Sequence, residues 1–438
     1  MESSSILTFY LCIDYSGLRR TKMNANETSV LRKMKHLDEG SGGLGNEQQR
    51  LTGISKINRL RIVTIVGTRP EVIKMAPVVL ELQRWQAVFD HTLVNTSQHR
   101  EMLVSALTLF GIIADIDLKL MEENQTLASF ASRSLSSLTN LLVELKPELI
   151  LIQGDTTTVM TAALAAFYQD VKVGHVEAGL RSFNRRHPFP EEVNRRFVGL
   201  LADLHFAPTE RARQNLLRDG VAENSIFVTG NTIVDALQSI PPAENFDDQS
   251  LDDIDYDRMK VLLVTAHRRE NHGPPLRSIC RSLKKLVTQF NNVEIVFPVH
   301  LNPNVRRVVH EELSDTARIH LLEPISYRDL LGLMSRCYLI LTDSGGIQEE
   351  SVSFHKPVLV LREVTERPEV VEVGAGLVIG VETERIVREV SDLLSDRERY
   401  QRMSTAENPF GDGHAAERIV KILAERLQSE MTKTLIAT

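Results

Sequence analysis

The 438-residue sequence has few cysteines, few aromatic residues and no long apolar run. Its three cysteines, at positions 12, 280 and 337, include no CxxC pair, which argues against a disulfide framework and a zinc site. We therefore expect a reducing compartment, the cytoplasm. No segment approaches the ~20 apolar residues that span a bilayer, so no membrane insertion is expected. A formal net charge of −7 without a long basic run makes nucleic acid an unexpected partner.

Ordinary globular composition, 42% hydrophobic and 25% charged, allows a sizeable core and more than one domain. The first 58 residues do not show the pattern of a globular domain. Their apolar patch at 6–13 is short and is not preceded by basic residues, unlike a signal peptide. Residues 40–45, Gly-Ser-Gly-Gly-Leu-Gly, match GxGxxG but lie between charged stretches instead of between a strand and a helix. We interpret residues 1–58 as a flexible N-terminal tail.

From residue 59 onward, short apolar runs alternate with helix-length amphipathic stretches, which is typical of parallel sheets with crossover helices. The sequence therefore predicts an α/β fold with two Rossmann-like, doubly wound domains at 59–239 and 259–405. An acidic interdomain connection, 240–258, contains Pro241 and Pro242. A final helix within 406–438 has no domain assignment from sequence. The predicted strands are 62–66, 92–95, 149–153, 171–176, 204–207 and 226–229, then 261–265, 293–299, 320–322, 339–342 and 358–361.

Loops after the strands of the first domain carry charged residues. Residues 67–71, Gly-Thr-Arg-Pro-Glu, open a helix with Arg69 and Lys74, a combination that suits an anion such as phosphate. Asp155 follows the strand predicted at 149–153, and Glu177 and Glu191 follow the next strand of the same sheet, at 171–176. Each carboxylate alone is more often structural, as a helix cap for instance. Three together indicate acid–base chemistry, because carboxylates gathered out of water raise each other's pKa.

The second domain carries the stronger nucleotide signal. Residues 343–350, Asp-Ser-Gly-Gly-Ile-Gln-Glu-Glu, place small residues at a helix start, where backbone amides bind a pyrophosphate, and end on an acid suited to ribose hydroxyls. No Walker A motif and no His/Asp metal cluster is present, so we expect no metal and no cofactor. The predicted contacts here are His267, Ser344, Gly345, Gly346, Glu350 and Arg367.

Several motifs in a fixed order extend this pattern from about residue 61 to 420. They include residues 98–102 (Gln-His-Arg-Glu-Met), 154–158 (Gly-Asp-Thr-Thr-Thr), 175–181 (His-Val-Glu-Ala-Gly-Leu-Arg), 298–303 (Pro-Val-His-Leu-Asn-Pro) and 408–413 (Asn-Pro-Phe-Gly-Asp-Gly). With the loops described above, they make the sequence resemble the non-hydrolysing bacterial UDP-N-acetylglucosamine 2-epimerases.

The resemblance implies a glycosyltransferase B type architecture of two facing domains, a homodimer, and conversion of UDP-GlcNAc to UDP-ManNAc for surface polysaccharide synthesis. It implies elimination of UDP to a 2-acetamidoglucal, followed by re-addition. On matching positions, it assigns catalysis to Asp155, Glu177, Glu191 and His267. It assigns substrate binding to Arg69, Lys74, Ser344, Gly345, Gly346, Glu350 and Arg367.

Other functions stay open at this level. Epimerases of UDP-2,3-diacetamido uronic acids carry Gly-Ala-Arg-Pro-Gln where this chain has Thr68 and Glu71, although residues 181–184 echo them. A UDP-sugar glycosyltransferase of the same fold would need an acceptor groove or membrane-facing patch, and none is evident. A hydrolysing epimerase would differ at residues 154–157, and a silent UDP-sugar sensor would lack the carboxylates. Fold alone does not separate these functions.

Overall fold

Two parallel β-sheets, each with helices on both faces, form the part of the chain that the computed structural model describes: residues 59–96, 100–122, 125–186, 188–243 and 245–437, without the side chains of 100–102 and 428–437. The predicted tail at 1–58, including the glycine-rich residues 40–45, lies outside these ranges. Gln98 and His99 of the motif at 98–102 lie outside them as well. The prediction of a doubly wound α/β fold is confirmed.

The first sheet has seven strands in the order β3-β2-β1-β4-β5-β6-β7. They are β1 Leu60–Val66, β2 Phe89–Asn95, β3 Ile116–Asp117, β4 Leu149–Gln153, β5 Lys172–Val176, β6 Leu204–Ala207 and β7 Ile226–Val228. The accompanying helices are α1 Arg69–Arg84, α2 Arg100–Leu109, α3 Leu127–Leu145, α4 Thr157–Tyr168, α5 Glu191–Leu201, α6 Glu210–Arg218 and α7 Thr232–Ser239.

The second sheet has six strands in the order β10-β9-β8-β11-β12-β13. They are β8 Lys260–Thr265, β9 Val293–Pro298, β10 Ile319–Leu322, β11 Leu339–Thr342, β12 Val358–Val360 and β13 Gly376–Val378. Its helices are α8 Pro274–Gln289, α9 Pro303–Leu313, α10 Tyr327–Arg336, α11 Gly345–Ser353, α12 Pro368–Glu372, α13 Thr383–Ser395 and α14 Arg397–Ser404. Short 3₁₀ turns occur at Glu223–Ser225, Gln249–Leu251 and Arg269–Asn271.

Apolar runs form these strands because both faces of each sheet are covered. In β1, Ile62 and Val66 pack in one core cluster, while Val63 and Ile65 pack in another on the opposite face. None of the helices in the described ranges has the length and hydrophobicity that crossing a bilayer requires.

The last helix, α15 Ala415–Ala437, packs on α1 and α7 beside the first sheet. Its buried residues Val420, Leu423 and Leu427 belong to the core cluster that also contains strand β1. The acidic segment 240–258 is also packed, because Phe246 and Leu251 are buried in that cluster. We propose 59–239 and 259–405 as the two domains, with 240–258 between them.

Both sheets have the topology that creates a ligand site. The chain leaves β1 toward one edge and returns to β4 on the other side of β1, and it does the same from β8 to β11. The loops after these four strands therefore diverge at the carboxyl edge and leave a crevice, the usual ligand position in open α/β sheets. The predicted site residues follow these strands and their neighbours.

Candidate active site

A cavity of about 380 Å³ lies between the strand-end loops of the two sheets. It is lined from the first sheet by loops after β1, β4 and β5, and from the second by the starts of α10 and α11 and the loop after β12. The structure brings ten of the eleven predicted site residues to this one cavity. They are Arg69, Lys74, Asp155, Glu177, Glu191, Ser344, Gly345, Gly346, Glu350 and Arg367.

His267 is the predicted residue that does not line the cavity. Its Nδ1 lies 3.5 Å from Oδ1 of the fully buried Asp343, and its ring stacks on His300 with centroids 5.3 Å apart. Oδ2 of Asp343 accepts the backbone amides of His267 and Arg268, each at 2.9 Å. Burial lowers the pKa of His267. The ring therefore faces Asp343 and His300, and the next residue, Arg268, reaches the cavity in its place.

Glu71 organises the loop after β1, although the sequence did not single it out. One carboxylate oxygen accepts the Gly67 amide at 2.7 Å, and the other accepts the Thr68 hydroxyl at 3.0 Å. The carboxyl is buried, and this burial raises its pKa to about 7. The two bonds replace a conventional side-chain cap on α1, so Glu71 fixes the turn that presents Arg69.

Four buried charges meet across the two sheets, and we name Lys74, Glu177, Glu349 and Arg367 the charge ring. Lys74 Nζ contacts Glu177 and lies 2.9 Å from Glu349 Oε2. Arg367 contacts Glu349 through Nε and has Nη2 4.0 Å from Glu177 Oε1. Each of the four is less than 10% exposed in its side chain. The two positive and two negative charges alternate, which balances charge that burial would otherwise destabilise.

The ionisation of the ring carboxylates follows from their partners. Burial disfavours the charged form of Glu349. The positive charges of Arg367 and Lys74 outweigh this effect of burial and hold the pKa of Glu349 below its ordinary value. Burial raises the pKa of Glu177, only partly opposed by Lys74. Glu177 also has a backbone φ of 63°, in the left-handed region that non-glycine residues rarely occupy. Such backbone strain clusters at functional sites.

Asp155 lies at the carboxyl end of β4 and is held by residues of α5. Nε of Arg195 donates to Asp155 Oδ2 at 3.1 Å, and Nη2 contacts the same oxygen. Asn194 Nδ2 donates to the Asp155 carbonyl at 2.9 Å. The preceding residue, Gly154, has a φ of 82°, which glycine adopts without steric strain. The turn and α5 therefore fix this carboxylate at the cavity wall.

Glu191 is the first residue of α5 and lines the cavity together with Asp155. Burial raises its pKa, and the negative charge of Asp155 raises it further. Its Oε2 is buried and has no hydrogen-bond partner among the residues that the structure describes. A carboxyl group with a raised pKa and a free oxygen at a cavity is suited to exchanging protons.

Glu350 and the small residues of α11 form the nucleotide end that the sequence predicts. Glu350 Oε1 accepts the Tyr327 hydroxyl at 2.9 Å, while its Oε2 is buried and finds no hydrogen-bond partner in the described part of the chain. Burial raises the pKa of Glu350 to about 7. A Cβ added to Gly346 would meet no atom of the described residues within 4 Å. The glycine therefore leaves open space beside the helix N-terminus, where backbone amides bind anions.

Replacing Glu350 by Gln is expected to change the pH dependence of stability of the nucleotide-free protein. Between the ordinary pKa of 4.5 and about 7, the folded state holds a proton that the unfolded state has lost. The free energy of unfolding of the unmodified protein therefore falls as pH rises through that range. Glutamine cannot ionise, so the melting temperature of Glu350→Gln relative to the unmodified protein should be higher at pH 8 than at pH 5. An equal difference at both pH values would refute the burial effect.

Sequence and structure comparisons identify relatives over most of the chain. The family model Epimerase_2, described as UDP-N-acetylglucosamine 2-epimerase, matches residues 81–424. The UDP-N-acetylglucosamine 2-epimerase of Bacillus subtilis (strain 168) is 47% identical over 367 residues, covering 84% of this chain and 96% of the relative. The UDP-N-acetylglucosamine 2-epimerase of Escherichia coli (strain K12) is 47% identical over 371 residues, covering 83% of this chain and 98% of the relative.

A solved structure agrees with the sequence relatives. The crystal structure of UDP-GlcNAc 2-epimerase from Neisseria meningitidis, bound to UDP-GlcNAc, superposes with a TM-score of 0.77 at 44% sequence identity. The match covers 84% of this chain and all of that chain.

Proposed function

The chain belongs to the UDP-N-acetylglucosamine 2-epimerase family, and we propose that it interconverts UDP-GlcNAc and UDP-ManNAc by eliminating and re-adding UDP. The family makes the chain an isomerase, and the resemblance inferred from the sequence motifs is confirmed. We also propose that the UDP-ManNAc formed in this reaction supplies the synthesis of a surface polysaccharide.

One observation carries the proposal: the cavity combines three carboxylates with cations and an open helix N-terminus. Asp155, Glu177 and Glu191 line it from the first domain. The second domain contributes Arg367 and the space beside Gly346. Proton transfer and retention of a diphosphate are the two tasks that the proposed reaction sets, and each has suitable groups within this cavity.

Elimination explains why both tasks are needed together. C2 of the sugar has no neighbouring carbonyl, so its proton is too weakly acidic for simple removal and return. When a base takes this proton, a C1=C2 double bond forms and the C1–O bond breaks, its electrons leaving with UDP. The product is a 2-acetamidoglucal. Re-addition of the UDP oxygen to C1 and of a proton to the opposite face of C2 gives UDP-ManNAc.

We assign the acid and base work to Asp155, Glu177 and Glu191. The raised pKa of Glu177 and Glu191 supports this assignment, because a general acid or base works best with a pKa near the operating pH. Arg69, Lys74 and Arg367 lie where they can oppose the negative charge on departing UDP. Asp343 holds the loop that contains His267, because its Oδ2 accepts the backbone amides of His267 and Arg268.

Gly346→Ala tests the nucleotide end of the site. A Cβ at this position meets no atom within 4 Å in the ranges that the structure describes, and alanine favours a helix more than glycine does. The melting temperature should therefore stay the same or rise. If a diphosphate approaches this backbone, the added methyl group should weaken UDP binding by on the order of tenfold or more. Calorimetric titration with UDP measures the affinity. Unchanged affinity in a stable variant would place the diphosphate elsewhere.

Proton NMR of the sugar region, with purified protein and UDP-GlcNAc, tests the reaction class. We expect UDP-ManNAc to accumulate to an equilibrium mixture. Release of free ManNAc together with UDP would identify a hydrolysing enzyme instead. Unchanged UDP-GlcNAc, in a protein that binds UDP, would direct attention to UDP-2,3-diacetamido uronic acids or to a transferase.

We further propose a homodimer that functions in the cytoplasm. Large apolar side chains are exposed on the consecutive, contacting helices α3, α4 and α5: Val143, Phe167, Tyr168 and Leu200. An exposed apolar surface of this kind favours self-association. The described cysteines, Cys280 and Cys337, are free and buried, in keeping with a reducing compartment. Light scattering on the eluting protein measures the mass of the assembly.

A further inference from the structure

Glu349 is the member of the charge ring that does not line the cavity. Lys74, Glu177 and Arg367 all line the cavity, whereas Glu349 lies behind them and is fully buried. It contacts Lys74 of the first domain at 2.9 Å and Arg367 of the second through the guanidinium Nε. A single side chain therefore contacts two of the cations that line the cavity, one from each domain.

We propose that Glu349 is a positioning residue, which holds Lys74 and Arg367 across the two domains at the place where the diphosphate's negative charge arrives. The proposal rests on the proposed function, since it assigns a role within that reaction. Glu349 acts through the two cations and does not itself touch the substrate. The neighbouring Glu350 has the other orientation, toward the cavity and Tyr327.

The arrangement sets how firmly the site holds a diphosphate. In the ring, two carboxylates balance two cations, so a diphosphate entering the cavity competes with them for the cations. Glu177 lines the cavity and is the carboxylate beside the entering ligand, whereas Glu349 stays behind the cations. Loss of the Glu349 charge would leave the ring with surplus positive charge in a buried place, which is unfavourable until an anion binds.

Two opposite effects are therefore expected for Glu349→Gln. Its affinity for UDP, measured calorimetrically, should rise on the order of tenfold, because UDP then supplies the missing negative charge. Its kcat with UDP-GlcNAc should fall on the order of tenfold or more, because Lys74 and Arg367 lose the group that fixes their position. The melting temperature should fall without UDP and recover with it.

Glu349→Asp and Asp235→Asn serve as comparisons. The aspartate keeps the charge but shortens the reach, so UDP affinity should stay within about threefold while kcat falls at least about threefold. Asp235 is a buried carboxylate of α7 that accepts the Ala416 amide at 2.8 Å, away from the ring. Its asparagine variant should lose stability but keep the UDP affinity of the unmodified protein, as a structural role predicts.

The outcomes separate the two hypotheses. Turnover by the unmodified protein tests the proposed function, and the variants are judged only against it. Unchanged or weaker UDP binding by Glu349→Gln would overturn the positioning role. If Glu349→Gln does not fold, Glu349→Asp decides: reduced kcat with unchanged UDP affinity supports the role, and the kcat of the unmodified protein overturns it.

Discussion

Replacing Asp155 by Asn, or Glu191 by Gln, is expected to lower kcat for UDP-GlcNAc by about 10²- to 10⁴-fold, the usual contribution of a general acid or base. Both amides preserve the shape of the side chain but cannot exchange a proton at the reacting carbon. UDP affinity should change little, because the nucleotide end of the cavity at Glu350 is untouched. A coupled assay of UDP-ManNAc formation gives kcat, and calorimetry gives the UDP affinity.

Asp155 is also held by Arg195, so the stability of its variant must be measured separately. A melting curve recorded with saturating UDP shows whether the protein assayed is folded. Glu210→Gln is the matched control: this carboxylate is exposed on α6, outside the cavity, and its loss should leave kcat unchanged. Normal turnover by folded Asp155→Asn or Glu191→Gln would remove that residue from the chemistry.

Lys74→Met should lower the stability of the protein strongly, by about 3 kcal/mol or more, because breaking a buried charge pair leaves its partner uncompensated. Methionine has nearly the length of lysine, so the loss isolates the charge. Glu177 and Glu349 would then share Arg367 as their remaining cation in the ring. A fall in melting temperature of about 4 °C or more is expected, together with loss of turnover.

The double variant Lys74→Met with Glu349→Gln tests the cause. Removing one charge of each sign restores the balance, so its melting temperature should be higher than that of Lys74→Met alone. Lys285→Met is the surface control, because Lys285 forms an exposed pair with Glu384 that contributes about 1 kcal/mol at most. If Lys74→Met and Lys285→Met melt alike, the ring is not a stabilising element.

Buried strands were predictable because both of their faces are apolar. β4, β6 and β11 have the predicted bounds, since each is a short and mostly apolar run that ends at a polar turn. The strands that the sequence did not predict, β3 and β13, have two and three residues and lie at the edges of their sheets. An edge strand pairs on one side alone and needs no long apolar run.

The site was predictable where its residues follow strands, and less so where they meet across domains. Parallel strands bring their carboxyl ends to one edge, which is why Asp155, Glu177 and Arg69 could be grouped from sequence alone. The position of Arg195 at the site was indicated locally, because it comes four residues after Glu191 and therefore lies on the same helix face. No local sequence pattern indicated the role of Glu349, because its partners Lys74 and Arg367 come together only through the tertiary fold.

Incubation with UDP-GlcNAc in deuterated water, followed by proton NMR, tests the central claim most directly. Elimination removes the C2 proton to a carboxylate that exchanges with solvent, so the account predicts UDP-ManNAc with deuterium at C2. UDP-ManNAc that retains its original hydrogen at C2 would contradict proton removal and exchange at the carboxylates. Absence of any UDP-ManNAc would contradict the proposed epimerisation itself.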